Sequence, residues 1–135
     1  MRIAIDVMGS DYGPSELIKG ALGWLATEEN SHINLVGPRA TIEAELKKHE
    51  YDVTKVSVTA ASQVIEMDES PALALRRKKD ASIVVATKLV KEGEADALVS
   101  CGSTGAQMAA AIFILGRMAG IERPPIITSI PRGND

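Results

Sequence analysis

A chain of 135 residues is long enough for one domain with a single sizeable core. Hydrophobic residues at 45% and charged residues at 24% are ordinary globular usage and exclude an intrinsically disordered chain. The formal net charge of −3 excludes a nucleic-acid binder that relies on a global positive field, and 3% aromatic residues leave too few rings for a base-stacking RNA module. The single cysteine, Cys101, excludes an internal disulfide framework and any zinc site built on two or more thiolates. His32 and His49 form no His-Glu-x-x-His ligand pair. The N-terminus lacks the apolar core of a signal peptide, and the longest apolar stretch, around Ala109 to Leu115, is far shorter than the roughly 20 residues of a membrane helix. The expectation is a soluble cytoplasmic protein with no integral membrane segment and no nucleic-acid partner.

Arg2 to Val7 is a short β-branched run ended by the Gly-, Asp- and Pro-rich loop Met8 to Pro14, which predicts a strand followed by a turn. Leu17, Ile18, Ala21, Leu22 and Leu25 then fall at helical spacing, with Pro14 suited to the first turn. His32 to Val36 is a second strand closed by Gly37-Pro38. A polar helix anchored by Ile42, Leu46 and Tyr51 follows, with Glu43 and Lys47 in favourable order for an i,i+4 pair. Val56 to Val58 is a third strand, which Val64-Ile65 extends or follows. Ser70 is placed to cap and Pro71 to start a helix from Ala72 to Glu92, broken near Asp80 and ended by Gly93. Ala95 to Ser100 is a buried strand, Cys101 to Gly105 a tight loop, Ala106 to Met118 an apolar helix rich in small residues, and Pro125 to Ile130 a last strand. Strands alternating with helices predict an α/β fold: three αβα layers around a mostly parallel, doubly wound sheet. Residues 1–135 read as one α/β domain without repeats or linkers. Ending directly after a strand, the chain reads as the N-terminal portion of a longer enzyme.

Ligands of open α/β sheets bind outside the carboxyl ends of the strands, which selects the loops Asp6 to Gly13, Glu66 to Pro71 and Ser100 to Gly105. In the last, Gly102 and Gly105 permit close backbone approach, the following helix start offers free N–H groups to an anion, and Ser103 and Thr104 add hydroxyls. The alternative is a tight β–α turn with Ser103 or Thr104 as a simple cap. Neither Gly-x-Gly-x-x-Gly nor a P-loop is present, so nucleotide readings are weak. Asp6, followed by Gly9 and Ser10, is placed either to orient a ligand or to cap a turn. Arg76, Arg77, Lys78 and Lys79 are the only dense basic cluster. Helical spacing puts Arg76 and Lys79 on one face and turns Arg77 and Lys78 elsewhere, which leaves open an anion site or a solvated face. Glu66, Asp68 and Glu69 suit either a magnesium ion or compensation of a helix dipole. Cys101 has no local base to make it a nucleophile and is expected to be a buried, inert thiol. No Gly-x-Ser-x-Gly elbow is present.

Together these loops resemble the PlsX family of bacterial phosphate acyltransferases. Asp6-Val-Met-Gly-Ser-Asp11-Tyr-Gly-Pro14 is similar to the family's Asp-x-Met-Gly-Gly-Asp-x-x-Pro opening. Val64 to Pro71, with Arg76 to Lys79 after it, looks like its central signature, and Ser100 to Ala106 is similar to its Ser-Ala-Gly-Asn-Thr-Gly-Ala loop. Leu115-Gly-Arg and Gly120 to Pro124 match as well. Ser10, Cys101 and Ser103 depart from the usual glycine, alanine and asparagine, and the family's chains are more than twice as long.

The resemblance implies an isocitrate/isopropylmalate dehydrogenase-like three-layer fold. It also implies transfer of a fatty acyl group from acyl-acyl carrier protein to inorganic phosphate, giving acyl phosphate for phospholipid synthesis. It implies substrate binding through Asp6, Gly9, Ser10, Arg77, Lys78, Gly102, Ser103, Thr104 and Gly105, with no metal or organic cofactor. Its partners would be acyl carrier protein, a second copy of the chain, and a downstream membrane-bound acyltransferase, with a cytoplasmic location that extends to the membrane surface. The rival readings are a non-catalytic phosphate- or carrier-protein-binding module and an NAD-linked dehydrogenase-type domain.

Overall fold

The computed structural model describes residues 1–127. Four strands form one parallel sheet in the order β3-β2-β1-β4: β1 (Arg2–Asp6), β2 (His32–Gly37), β3 (Val56–Ala60) and β4 (Ala97–Ser100). β1 is central. Its Ile3 lies level with Ile33 of β2 and Ala97 of β4, and its Asp6 with Val36 and Ser100. The β-branched content of β1 to β3 suits this pleated, two-sided burial.

The two faces of the sheet follow the period-two rule of strands. Ile3, Ile5, Ile33 and Leu35 point to one face. There α1 (Gly13–Leu25) and α2 (Arg39–Leu46) cover them with Ile18, Leu22, Leu25, Ile42 and Leu46. Ala4 and Val36 point to the other face, against Ala86 and Leu89 of α4 (Ser82–Lys91). Small residues there let α4 approach closely. A third cluster joins α3 (Pro71–Arg77), α4 and α5 (Thr104–Ala110) through Leu75, Ile83, Val84, Ala106, Ala109 and Ala110. The result is the three-layer αβα arrangement that the alternation predicts.

Several local expectations are corrected. Pro125–Ile127 carry no strand, and the rest of the expected last strand lies outside the described residues. The expected helix from Ala106 starts earlier, at Thr104, and changes after Ala110 into a π-helical turn, Ala111–Leu115, that stops at Gly116. α2 ends at Leu46, before Tyr51, which instead packs on the core from the following segment. Glu43 pairs with Arg39 at 3.2 Å and not with Lys47. Ser70 occupies the cap position of α3, but its side chain makes no cap bond. The break near Asp80 is real, with α3 ending at Arg77 and α4 starting at Ser82. Lys79 therefore lies outside the helix, and the shared helical face expected for Arg76 and Lys79 does not exist.

Candidate functional site

The connections run outward from β1 to β2 and β3 on one side and return to β4 on the other. The join between β1 and β4 is thus a topological switch point, where the loops leaving the two strands splay apart and leave a crevice. Asp6 and Ser100 end these strands in register. The Ser100 hydroxyl donates to Asp6 Oδ2 at 2.9 Å, and the Met8 amide donates to Asp6 Oδ1 at 3.1 Å. Ser100 Oγ in turn accepts from the Gly102 amide at 3.1 Å. One buried carboxylate therefore ties both loops to the sheet.

Asp6, Ser82, Ser100 and Ser103 line a cavity of about 10 Å³, closed by Ile65, Ile83 and Ala106. That is near the minimum for one water. Burial raises the Asp6 carboxyl above its ordinary value, against the hydroxyls of Ser82 and Ser100 and the Met8 amide, which favour the charged form.

The first loop turns at Gly9, whose φ of +79° lies in the left-handed region and whose Cα faces the Gly102 backbone; a Cβ there would meet Gly102 Cα at 3.2 Å. Gly105 serves packing. A Cβ on it would come within 2.8 Å of Pro71 Cγ, so the starts of α3 and α5 touch only because the side chain is absent. Ser103 is buried and caps α5, accepting from the Ala106 amide at 3.3 Å. Gln107 Nε2 donates to the carbonyls of Gly102 at 3.0 Å and Ser100 at 3.4 Å, which fixes the loop from the helix side. The Thr104 and Gly105 amides find no acceptor among the described residues.

Two open grooves flank this join. One, about 470 Å³, runs between the Met8 to Pro14 and Val64 to Asp68 loops and includes Gly9, Ser10, Asp11, Glu66 and Asp68. Its carboxylates disfavour an anion. The other, about 540 Å³, starts at Thr104 and Gln107 and continues over Leu98, Met108, Ile112 and Ile121. It is mainly apolar, and its volume falls within the range of small-molecule sites.

The fold thus brings Asp6, Gly9, Gly102 and Ser103 to one cavity, Ser10 to the acidic groove beside it, and Thr104 to the apolar groove. Arg77 and Lys78 line none of these. Arg77 is exposed at the end of α3. Lys78 Nζ donates to Glu69 Oε2 at 2.5 Å and the Val64 carbonyl at 2.6 Å, which pins the Val64 to Glu69 loop. Cys101 is exposed, contrary to expectation: it follows the last strand residue, where the loop turns its side chain outward. Among the described residues no three His, Cys, Asp or Glu side chains gather as a metal site. No described helix is long and apolar enough to cross a membrane. Sequence reasoning missed Ser82, which only the folded chain carries to the join, and Gln107, whose reach back to the Gly102 carbonyl follows from α5 starting at Thr104.

The family described as "Fatty acid synthesis protein" matches residues 1–135. A phosphate acyltransferase of Syntrophomonas wolfei is 63% identical over 131 residues, which cover 97% of this chain and 41% of that protein. A phosphate acyltransferase of Heliobacterium modesticaldum is 58% identical over 132 residues, covering 97% of this chain and 39% of that protein. A third, from Moorella thermoacetica, is 53% identical with 38% of its length covered. The chain therefore spans well under half the length of these curated relatives.

Proposed function

This chain belongs to the fatty acid synthesis protein family, and from that premise we propose that it carries the phosphate-holding part of an acyltransferase site. In the proposed reaction a fatty acyl group passes from acyl-acyl carrier protein to inorganic phosphate, giving acyl phosphate and free carrier protein. The relatives' name, phosphate acyltransferase, supports the reaction class. The observation that carries the reading is that the Thr104 and Gly105 amides find no acceptor among the described residues, with Thr104 at the start of a long apolar groove. Such a site offers hydrogen bonds to an anion and a bed for a hydrocarbon chain.

The chemistry asks little else of the protein. A phosphate oxygen attacks the thioester carbonyl carbon and forms the new C–O bond. The C–S bond breaks, and the carrier sulfur leaves and takes up the proton that phosphate gives up. Phosphate is the nucleophile, so no Ser-His or Cys-His pair is required, and the step uses no metal or organic cofactor. The residues supply position and amide donors. Gly9, Ser10, Gly102, Ser103, Thr104 and Gly105 form the substrate-binding set, and Asp6 orients the Ser100 to Gly102 loop through Ser100. The three carboxylates of the neighbouring groove favour anion binding on the α5 side. Arg77 is free to meet an acidic carrier protein, and Lys78 acts by holding the Val64 to Glu69 loop. A cytoplasmic location that extends to the membrane surface, a homodimer, and a membrane-bound acyltransferase consuming the product belong to the same reading. Binding without turnover is the second reading, and the enclosed cavity, large enough only for about one water, favours it.

The deciding experiment mixes the chain with acyl-acyl carrier protein and phosphate and traps acyl phosphate with hydroxylamine. Phosphate-dependent hydroxamate supports transfer. Its absence, with phosphate still bound, establishes the binding module. Thr104→Pro removes one amide at a position where helices accept proline. It should raise the KM or Kd for phosphate by about tenfold or more, as expected for a lost hydrogen bond to a charged group. Unchanged phosphate affinity would remove the α5 amides from the reading.

A further inference from the structure

A separate pocket of about 220 Å³ lies between α3, α4 and the π-helical turn. Leu75, Val84, Phe113 and Ile114 form its apolar walls, and Arg76, Lys79 and Lys88 stand around its rim. It shares no lining residue with the cavity at the β1–β4 join. None of the three cations has a carboxylate within ion-pair distance among the described residues. Asp80 feels the charge of Lys88, but its carboxylate accepts from the amide and hydroxyl of Ser62, so the three side chains keep their charges available to an anion in the pocket.

The walls are built by an unusual element. The Gly116 amide bonds to the Ala111 carbonyl at 3.0 Å, closing an i→i+5 turn over Ala111–Leu115. Such π-turns are rare, and they recur at functional sites because they re-aim side chains. Here the turn supplies Phe113 and Ile114 to the pocket and leaves Phe113 65% exposed at its edge. Phe113 thereby adds exposed aromatic surface to the mouth of the pocket.

We infer that this pocket binds a monomeric anionic amphiphile: a single alkyl or acyl chain whose first carbons lie on Leu75, Val84, Phe113 and Ile114, and whose carboxylate or phosphate head meets Arg76, Lys79 and Lys88. The apolar walls alone would accept any hydrocarbon, and the cations alone any small anion. Their juxtaposition selects a molecule with both parts. The inference stands apart from the acyl-transfer reading, because it uses no residue of the β1–β4 join.

The test titrates the 135-residue chain with decanoate and with decyl phosphate, both below micelle formation, by calorimetry and by NMR of the Phe113 ring. Both should saturate a single site and shift the Phe113 signals. Decanol and inorganic phosphate should each bind about tenfold more weakly or worse, as loss of charge-assisted contacts or of the apolar part predicts. The triple variant Arg76→Gln/Lys79→Gln/Lys88→Gln, all surface positions, should keep its circular dichroism spectrum and lose about tenfold in affinity for decanoate. Thr104→Pro should leave this binding unchanged, so failure here and failure at the phosphate site read separately. Equal affinity for decanol and decanoate would overturn the inference in favour of an unselective groove. Equal affinity for inorganic phosphate and decyl phosphate would reduce the pocket to a bare anion site. Binding only to anionic vesicles, and never to the monomers, would make it a membrane-facing surface.

Discussion

Ser100 donates its hydroxyl to Asp6 at 2.9 Å, although the two residues stand 94 positions apart in the chain. The bond closes the join between the central strand and its late-arriving neighbour at the edge where the loops diverge. Ser100 Oγ also accepts from the Gly102 amide, so one hydroxyl serves two loops. Ser100→Ala leaves the buried carboxylate short of a donor and the Gly102 amide without its acceptor. The expected cost is about 1–3 kcal/mol, because a deserted buried polar group loses more than the bond it made. Thermal unfolding measures it, and Ser100→Thr should recover most of the loss. A Ser100→Ala protein as stable as the parent would show that water replaces the hydroxyl without penalty.

Asp6 gives the molecule a pH dependence of unusual sign. Burial raises its carboxyl above the ordinary 3.8. The folded state therefore holds the proton more tightly than the unfolded chain does. The stability this confers is complete below 3.8 and is lost as pH rises through the folded value. Asp6→Asn removes the titration and keeps an acceptor for the Met8 amide. The stability of the variant relative to the parent should thus improve as pH rises from below 3.8 to neutrality. Parallel denaturant-midpoint curves over that range would show that Asp6 carries no raised pKa.

Glu45 behaves in the opposite way. Lys48 donates to it at 2.7 Å and Ser15 at 2.8 Å, with His49 at 3.3 Å, and these contacts, Lys48 foremost, hold its carboxyl down to about 2 from an ordinary 4.5. The pairing joins α1 to α2. Its contribution is present in full above 4.5 and is lost as pH falls through about 2. Glu45→Gln should flatten that part of the acid limb of the unfolding curve. An unaltered acid limb would assign the loss to other carboxylates.

The alternation of strands and helices was legible because both periods are written in the apolar residues. Ile3, Ile5, Ile33 and Leu35 mark one face of the sheet, and Ile18, Leu22 and Leu25 the helix that covers it. The switch point was legible only as three separate loops. Nothing local announces that Asp6 will meet Ser100 or that Ser82 will line the cavity, because those contacts depend on strand order. The basic cluster was misread for a related reason. Its helical spacing is genuine through Arg77, but the chain leaves the helix at Lys78, and the turn sends that side chain to Glu69 and Val64.

Gly105 is a packing glycine, and its replacement should be readable as steric conflict. In Gly105→Ala the new methyl would come within 2.8 Å of Pro71 Cγ, so either α3 or α5 must shift. Overpacking of this kind costs about 1–3 kcal/mol. Pro71→Ala removes the opposing ring atoms, so the double variant should be more stable than the two single costs sum to, as neighbours in contact require. Additive costs in the double-variant cycle would mean that the helix starts do not touch.

Met108 is 40% exposed, Met118 81% and Ile126 60%, and all three border the groove of about 540 Å³. Single exposed apolar residues are ordinary, but a contiguous set on one face marks an interaction surface. Beside it β4 is the outermost strand on that side among the described residues, and Val99 is 47% exposed. An unpaired strand edge next to apolar surface invites a second chain. Purified protein should therefore self-associate, with a weight-average mass in sedimentation equilibrium that climbs with concentration. Met118→Glu with Ile126→Glu places two charges on the face and should return the chain to monomer while leaving its circular dichroism spectrum unchanged, since neither side chain is buried. A parent chain that stays monomeric at every concentration would show that groove and edge protect themselves. Association that survives both charges would move the contact to another face.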